Sequence, residues 1–426
     1  MKKTVLFFLL FICMYSTAQE MEPCQCNLLK KYQDSIKNSY SKHTFKPISK
    51  RKTLKPPFNF ITVKYLNKHA NLHDIIDSVK IKTDIARSRK KPDNSFEFFD
   101  DYEIHDSIQK IEYSKKYGDI PIPLIIKTGE LGGVQAILYR TKSFRSRYYL
   151  RLSTDHGKTW RNYFTGLEER DNYIFKSNSK YPLWLDKSNI QIEADIVRLI
   201  KKETFPSGEA KYETLKNNAL VILNINDIIK DSDHDGINDL EEKLLLFTNP
   251  YSSDTDHDGI SDFDDRNPRY KSVDNDFSKL AQGIRYGDYP LIENHNPRID
   301  EFIVNLKTFE EDFRKQQENI QSYSSEREKS FLDTLDFLII VTNDGNFRKI
   351  EPFDEKIVFL TSKEYSEYIK LKPDKFPFLH YSNIFKCDDD KNTYILIMDG
   401  TLIGETYFIK KILEGWHIKI GNRWQT

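Results

Sequence analysis

Hydrophobic residues between positions 119 and 230 fall in short runs rather than in long helical stripes. The runs IPLIIK, VQAILYR, RYYLRLS, NYIF, IQIEADIVRLI and ALVILNI are rich in β-branched and aromatic residues, and Gly, Asn, Asp and Ser separate them. Short strands divided by turn residues are typical of antiparallel sheets that pack face to face. The pattern predicts a β-rich, sandwich-like domain over residues 119–230.

The pattern changes after residue 268, where helical and strand periods alternate. Within residues 298–320, apolar side chains recur at helical spacing, at Phe302, Leu306, Phe309 and Phe313. This spacing predicts an amphipathic helix. Later runs read as strands, and the last two, GETYFIKKI and GWHIKI, predict a closing meander. We therefore expect a C-terminal α+β domain over residues 269–426 and a multidomain chain.

The first residues have the pattern of a secretory signal peptide. Two lysines precede an apolar run from Val5 to Met14, and small residues lead to Ala18. The run is too short to span a bilayer, which takes about 20 residues, and no later segment approaches that length. We expect cleavage of residues 1–18, a mature chain without a transmembrane segment, and a secreted or periplasmic, cell-envelope location. Residues 19–118 form a poorly patterned N-terminal region.

Residues 231–268 carry an acidic repeat that differs from everything around it. DSDHDGINDLEE is followed by DTDHDGISDFDD, with Asp231 of the first copy matching Asp254 of the second at an offset of 23 residues. Residues 231–265 hold ten Asp, two Glu and one Lys, which gives a formal charge of −11. A disordered acidic linker is the alternative, but it does not account for a glycine in register in both copies.

The spacing D-x-D-x-D-G is that of an oxygen cage for a hard cation. Carboxylates at loop positions 1, 3 and 5 converge on the ion, the glycine at position 6 permits the turn, position 7 offers its carbonyl, and position 12 closes the cage. The predicted first Ca²⁺ site is Asp231, Asp233, Asp235, the carbonyl of Ile237, Asp239 and Glu242. The predicted second site is Asp254, Asp256, Asp258, the carbonyl of Ile260, Asp262 and Asp265. Because Asp265 is shorter than a glutamate, the second site is expected to be weaker or to use Asp264.

Two other interpretations of the repeat were considered. An EF-hand needs a helix before the loop, and the sequence before Asp231 reads as a strand, so only a short exiting helix over Leu240–Phe247 is expected. His234 and His257 occupy the same place in both copies and suggest a transition metal. Position 4 of such a loop normally faces solvent, however, and a cage of hard oxygen ligands selects calcium.

With its Thr-Asn-Pro spacer at Thr248 and its second Asn-Pro at Asn267, the repeat resembles thrombospondin type 3 repeats. The resemblance covers about 40 of the 426 residues. It implies calcium-dependent, non-catalytic linkers between extracellular modules. On this basis the chain is expected to be a secreted or cell-envelope calcium-binding protein. Its loops would rigidify the linker between flanking domains, in a structural, adhesion or interaction role.

A second resemblance keeps a sugar-related function open. Ser153–Trp160, with the text STDHGKTW, resembles the Asp-box hairpin of sialidases and related proteins, in which the aspartate caps turn amides and the tryptophan packs beneath. One such turn does not make a propeller, which needs typically four to eight blades. The alternative is a glycan-binding or glycan-active protein that carries calcium loops, with Trp184 stacking on a sugar ring. The residues Gly415, Trp416, His417 and Ile418 also weakly resemble the last strand of NTF2-like domains.

Composition excludes little but sets useful bounds. The length of 426 residues suggests about two to three domains, and 65 basic residues balance 65 acidic ones, so no nucleic-acid partner is expected. Glycan, another envelope protein and calcium remain as candidate partners. The chain has no G-x-S-x-G, H-E-x-x-H or P-loop motif, so it is not expected to be an enzyme. Cys24, Cys26 and Cys387 survive cleavage and allow at most one intramolecular bridge, whose pairing the sequence leaves open.

Overall fold

A computed structural model describes part of the chain. The described residues are 26–31 in part, 56–66, 120–141, 147–168, 172–201, 211–286, 301–318 in part, 337–352, 355–371, 379–400 and 403–425. The predicted signal peptide, Cys24 and most of residues 19–118 lie outside them. The described part is mostly β-strand with few helices, and none of its helices is long and apolar enough to cross a membrane.

The chain forms two compact units. One unit comprises Phe45–Lys271 with Ser322–Phe337, and the other comprises Met1–Thr44, Ser272–Gln321 and Leu338–Thr426. The acidic repeat therefore belongs to the same unit as the strands that precede it, and the first segment of that unit ends at Lys271.

The unit that contains the repeat is built on two antiparallel sheets. Its described strands are β1 (Ile61–Tyr65), β2 (Ile125–Leu131), β3 (Val134–Arg140), β4 (Arg147–Ser153), β5 (Arg161–Glu168), β6 (Tyr173–Phe175), β7 (Trp184–Asp186), β8 (Asn189–Lys201) and β9 (Lys211–Asn224). One sheet has the order β1-β9-β8-β6, with β7 also pairing with β8, and the other has the order β2-β3-β4-β5. A 3₁₀ turn (Ile122–Leu124) precedes β2.

The four-stranded sheet is covered on both faces. On one face, Ala136 and Leu138 join a buried cluster with Ile190, Ile192 and other residues of the first sheet. Their neighbour Ile137 points to the opposite face, because side chains alternate along a strand. There Ile137, Tyr139, Tyr149 and Phe164 form a second cluster with Leu245. Burial on both faces explains why residues 136–139 of β3, with the sequence AILY, are all apolar.

Two short helical segments follow β9: α1 (Ile225–Ile228) and α2 (Asp239–Glu241), which continues as a π-helical turn (Glu242–Leu246). Ile225 and Ile228 of α1 belong to the first cluster, whereas Leu245 of the π-helical turn covers the second face. Asn224 caps α1 by accepting a hydrogen bond from the Asn226 amide at 2.9 Å. Phe247, with φ of 58°, ends the π-helical turn in the left-handed conformation. The helix expected over Leu240–Phe247 thus forms as a short segment that is locally underwound, because a π-helical turn holds more residues than an α-helical turn.

The second unit contains a larger mixed sheet and helical segments, two of which have defined bounds. Its elements are α3 (Asp276–Tyr286), β10 (Glu301–Asn305), β11 (Phe337–Thr342), β12 (Lys356–Leu360), α4 (Ser362–Leu371), β13 (Leu379–Tyr381), β14 (Phe385–Lys386), β15 (Thr393–Gly400), β16 (Ile403–Ile412) and β17 (Gly415–Gln425), with a 3₁₀ turn at Phe347–Lys349. The sheet order is β10-β17-β16-β15-β13-β11-β12, and β14 also pairs with β15. Strands β15, β16 and β17 pair antiparallel in sequence, so the predicted meander is present.

The helix predicted over residues 298–320 is wrong in its first half. Residues Glu301–Asn305 form β10, which pairs antiparallel with β17, and helical structure begins only at Phe309. Val304 is 6 % exposed while its neighbour Ile303 is 60 % exposed, which is the alternation of a strand. Consecutive β-branched residues and pairing with β17 outweighed the helical spacing of the phenylalanines.

The described N-terminal residues belong to this second unit. The Cys26 thiol donates to the Lys386 carbonyl oxygen at 3.6 Å, and the Asn27 amide donates to the Asp388 carboxylate at 3.0 Å. Cys387 is disulfide-bonded. Cys26 and Asn27 are therefore held against the segment that contains β14.

Candidate metal centre

The three leading aspartates of the first loop converge. Carboxylate oxygens of Asp231, Asp233 and Asp235 all lie within 4.8 Å of one another. Both oxygens of Asp231 bind the backbone of the loop, Oδ1 accepting from the His234 amide (2.7 Å) and Oδ2 from the Gly236 amide (3.2 Å). These bonds fold the loop around the carboxylates, and the Oδ2 atoms of Asp233 and Asp235 are left without a hydrogen-bond partner in the part of the chain that the structure describes.

The second loop repeats this geometry. Carboxylate oxygens of Asp254, Asp256 and Asp258 also lie within 4.8 Å of one another. Asp254 accepts from the amides of His257 (2.8 Å) and Gly259 (2.9 Å), as Asp231 does from its counterparts. The two copies of the sequence text therefore fold into two copies of one backbone structure.

Backbone conformation explains the residues at loop positions 4 and 6. His234 and His257 are exposed and have φ of 66° and 63°, and Gly236 and Gly259 have φ of 106° and 99°. Glycine is the residue that adopts positive φ without a steric penalty. Because both histidine side chains are exposed, the loops present carboxylates to an ion, which fits a hard cation.

The aspartates at position 9 have a role within the loop. Asp239 accepts hydrogen bonds from the amide and hydroxyl of Ser232 at 2.9 and 3.1 Å, and Asp262 accepts the same pair from Thr255 at 2.9 and 2.6 Å. These bonds close each loop across seven residues. The Nζ atoms of Lys230 and Lys243 also form ion pairs with Asp239 Oδ2, each at 3.2 Å. Burial by itself raises the pKa of Asp239, but the hydrogen bonds from the two lysines outweigh burial and hold that pKa below its ordinary value.

The residues at position 12 are both buried. Glu242 is 0 % exposed and accepts the Thr248 hydroxyl at 3.1 Å, and Asp265 is 4 % exposed and accepts the Asn267 amide at 2.7 Å. Asp264, the alternative ligand, is exposed and accepts the Ser261 hydroxyl at 3.3 Å. The structure thus keeps a buried carboxylate at the end of each loop.

Several carboxylate oxygens in the loops fit the presence of a cation. Within the described residues, four buried loop oxygens lack a hydrogen-bond partner: Asp233 Oδ2, Asp235 Oδ2, Glu242 Oε2 and Asp256 Oδ2. An ionised carboxylate that is buried without a partner is strongly unfavourable. A divalent cation at each triad would satisfy these oxygens and offset their charge.

The pKa values of the same residues report this unfavourable state. Burial raises the pKa of Glu242 to about 8, and the charge of Asp233 adds to the effect. Burial likewise raises the pKa of Asp235 to about 6, with Asp233 adding, and that of Asp256 to about 6, with Asp258 adding. Without a cation, these three carboxyl groups hold protons to a higher pH than exposed carboxyl groups do.

This leads to a prediction for the protein in chelator. Its melting temperature is expected to fall as the pH rises from about 5 to about 8, because the folded state holds protons that the unfolded chain has lost. Each contribution is complete below the unfolded pKa near about 4 and is lost as the pH rises through the folded pKa of Asp235, Asp256 or Glu242. Thermal unfolding followed by circular dichroism measures the effect. Glu242→Gln should flatten the upper part of the profile. A profile as steep in Glu242→Gln as in the wild type contradicts the assignment.

Sequence reasoning missed three residues that position the first loop or close both loops. Ser232 and Thr255 bind the position-9 aspartates, and their matching places in the repeat were a signal that could have identified them. Asn238 is 1 % exposed, and its side chain amide donates to the Phe164 and Ile228 carbonyl oxygens at 2.9 and 2.8 Å. Nothing in the repeat indicated Asn238, because the second copy has serine there.

Two other candidate features of this unit make contacts within the fold. Asp155 accepts from the amide and hydroxyl of Thr159 at 2.9 and 2.7 Å, and the Trp160 indole donates to the Gly157 carbonyl at 3.0 Å. The capping of the turn by Asp155 is the contact predicted for it. Trp184 is half-buried and packs against the core between the two sheets.

The two loops of this chain resemble each other, since both adopt the same hydrogen-bonded backbone with converging carboxylates. No protein-family model, no curated protein and no solved structure matches this chain.

Proposed function

We propose that this chain is a secreted or cell-envelope calcium-binding protein. Its two Asp-rich loops act as thrombospondin type 3-like repeats that bind Ca²⁺ and rigidify the segment between a sandwich-like domain and the C-terminal α+β domain. The role is structural, in adhesion or in interaction with another envelope component. The chemistry is binding, and no reaction is assigned.

One observation carries the proposal. Glu242 is fully buried, its Oε2 has no partner among the described residues, and the charges that act on it most come from Asp233 and then Asp235. A protein that keeps a buried carboxylate beside two others needs a counter-ion or a proton. The position of Glu242 at the twelfth place of the loop matches the closing ligand of a calcium cage.

Calcium is favoured over other cations by the ligand types. The triads offer carboxylate oxygens, and the histidines of both loops face solvent. Calcium accepts six to eight oxygen ligands in flexible geometry, whereas magnesium demands a near-ideal octahedron and keeps its waters. Loops of extracellular modules bind calcium with Kd on the order of 10⁻⁴ to 10⁻³ M, which suits a compartment rich in calcium.

A calorimetric calcium titration tests the proposal. Wild-type protein is expected to bind two ions per chain, one for each triad. The double variant with Asp233→Ala and Asp256→Ala should give no binding heat, because each loop loses a carboxylate with a buried, unsatisfied oxygen. Asp227→Asn removes one exposed negative charge outside the loops and should leave the heat unchanged. Equal heats in the wild type and the double variant would end the proposal.

A further inference from the structure

We infer that the two loops have different tasks, with the first loop holding the second face of the four-stranded sheet closed. Loss of the cation from the first loop releases that cover, whereas the second loop can lose its cation while the sheet stays intact. This inference rests on the proposed function, since it describes how one of the two calcium sites is coupled to folding.

The closing ligand of the first loop and the cover of the sheet lie on one helical segment. Glu242 begins the π-helical turn that also contains Leu245, and Leu245 is 2 % exposed in the cluster with Tyr149 and Phe164. The Phe247 amide donates to the Glu242 carbonyl oxygen at 2.6 Å and closes the turn. Whatever holds the Glu242 carboxylate in place therefore also holds Leu245 against the sheet.

Asn238 ties the same loop to the edge of the sheet. Strand β5 is the last strand in its sheet, and Asn238 bonds the backbone of Phe164 in both directions. It donates to the Phe164 carbonyl at 2.9 Å and accepts the Phe164 amide at 3.2 Å, as a neighbouring strand would. A further bond runs from the Tyr149 hydroxyl to the Glu241 carboxylate at 2.8 Å. The first loop is therefore bonded to both β4 and β5.

The second loop has none of these attachments at its matching positions. Ser261 stands in place of Asn238, and Phe263, in place of Leu240, is 56 % exposed. Asp264, in place of Glu241, is exposed and bonds Ser261 within its own loop. Neither of the two core clusters described for this unit contains a residue of the second loop. Its cation would order the second loop, whose Phe263 ring lies beside Gly236 of the first loop and not in either sheet cluster.

Burial at position 7 shows the same difference. Ile237 of the first loop is 6 % exposed, and Ile260 of the second loop is 42 % exposed. The first loop is thus enclosed by the unit, and the second is open to solvent on the same side. Without a cation, the buried Glu242 Oε2 has no partner among the described residues, and outward movement of Glu242 carries Leu245 of the same turn away from its contacts.

Hydrogen exchange of the Phe164 amide in the full chain tests the inference, because that amide donates directly to Asn238. The matched variants are Glu242→Gln in the first loop and Asp265→Asn in the second, each in saturating calcium. Glu242→Gln is expected to accelerate exchange at Phe164 by about tenfold or more, the factor that corresponds to about 1.4 kcal/mol. Asp265→Asn should leave that exchange unchanged.

A calcium titration of the wild-type protein keeps the test valid if Glu242→Gln does not fold. As calcium is added, the slowing of exchange at the Phe164 amide should follow the filling of only one of the two sites. The inference is overturned if both variants accelerate exchange equally, if neither does, or if only Asp265→Asn does. If any of those results is obtained while calorimetry still shows two bound ions, the inference fails and the proposed function stands. If the wild-type protein gives no heat of calcium binding, the proposed function itself fails.

Discussion

Replacing Asp233 and Asp256 together with asparagine is expected to lower stability in calcium and to raise it in chelator. In calcium, each wild-type site adds RT ln(1 + [L]/Kd), which is about 2.7 kcal/mol at a hundredfold excess over Kd, so two lost sites remove about 5 kcal/mol. In chelator the sign reverses, because each substitution removes a negative charge from a buried group of carboxylates. Denaturant unfolding in the two buffers measures both effects.

The reversal of sign distinguishes ion binding from ordinary packing. Asp227→Asn serves as the control, since it removes one exposed charge near the loops and should change stability by less than about 0.5 kcal/mol in either buffer. If the double variant is destabilised equally in calcium and in chelator, Asp233 and Asp256 stabilise the loops without a cation.

Leu245→Ala is expected to be the most damaging single substitution in the helical segment. Leu245 is 2 % exposed and packs in the cluster with Ile137, Tyr139 and Tyr149. Truncation of a buried leucine to alanine costs about 2–5 kcal/mol, which combines lost transfer free energy with the cavity left behind. Urea unfolding in calcium, followed through exchange of amides in β4 and β5, measures the loss in this unit.

An exposed leucine provides the matched comparison. Leu185 is 47 % exposed, so Leu185→Ala makes the same chemical change with little loss of burial and should cost less than about 0.5 kcal/mol. Similar losses for the two variants would show that the helical segment does not cover the sheet as described.

The sequence predicted the parts of the site that depend on near neighbours. Asp231, Asp233 and Asp235 are two residues apart, so a single turn with a glycine at Gly236 brings them together whatever surrounds it. For the same reason β3, β8, β9 and the closing meander could be predicted, since the hydrophobic pattern of a strand is contained within the strand itself.

The missing parts depend on contacts between distant residues. The Asn238 side chain forms hydrogen bonds with the Phe164 backbone, 74 positions earlier in the chain. No local sequence pattern indicates which edge strand a side chain will contact. The burial of Glu242 likewise comes from the sheet beneath its helix, which the repeat alone does not encode. At β10 a local helical period was present, but pairing with β17 more than 100 positions later decided the structure.

The most direct measurement is the melting curve of the mature protein in calcium and in chelator at neutral pH, with limited proteolysis in parallel. If divalent ions neutralise the two triads, calcium raises the melting temperature and protects residues 231–271 from cleavage. The chelated protein should melt earlier and be cut within that segment. Identical melting curves and identical cleavage patterns in the two buffers would contradict the account.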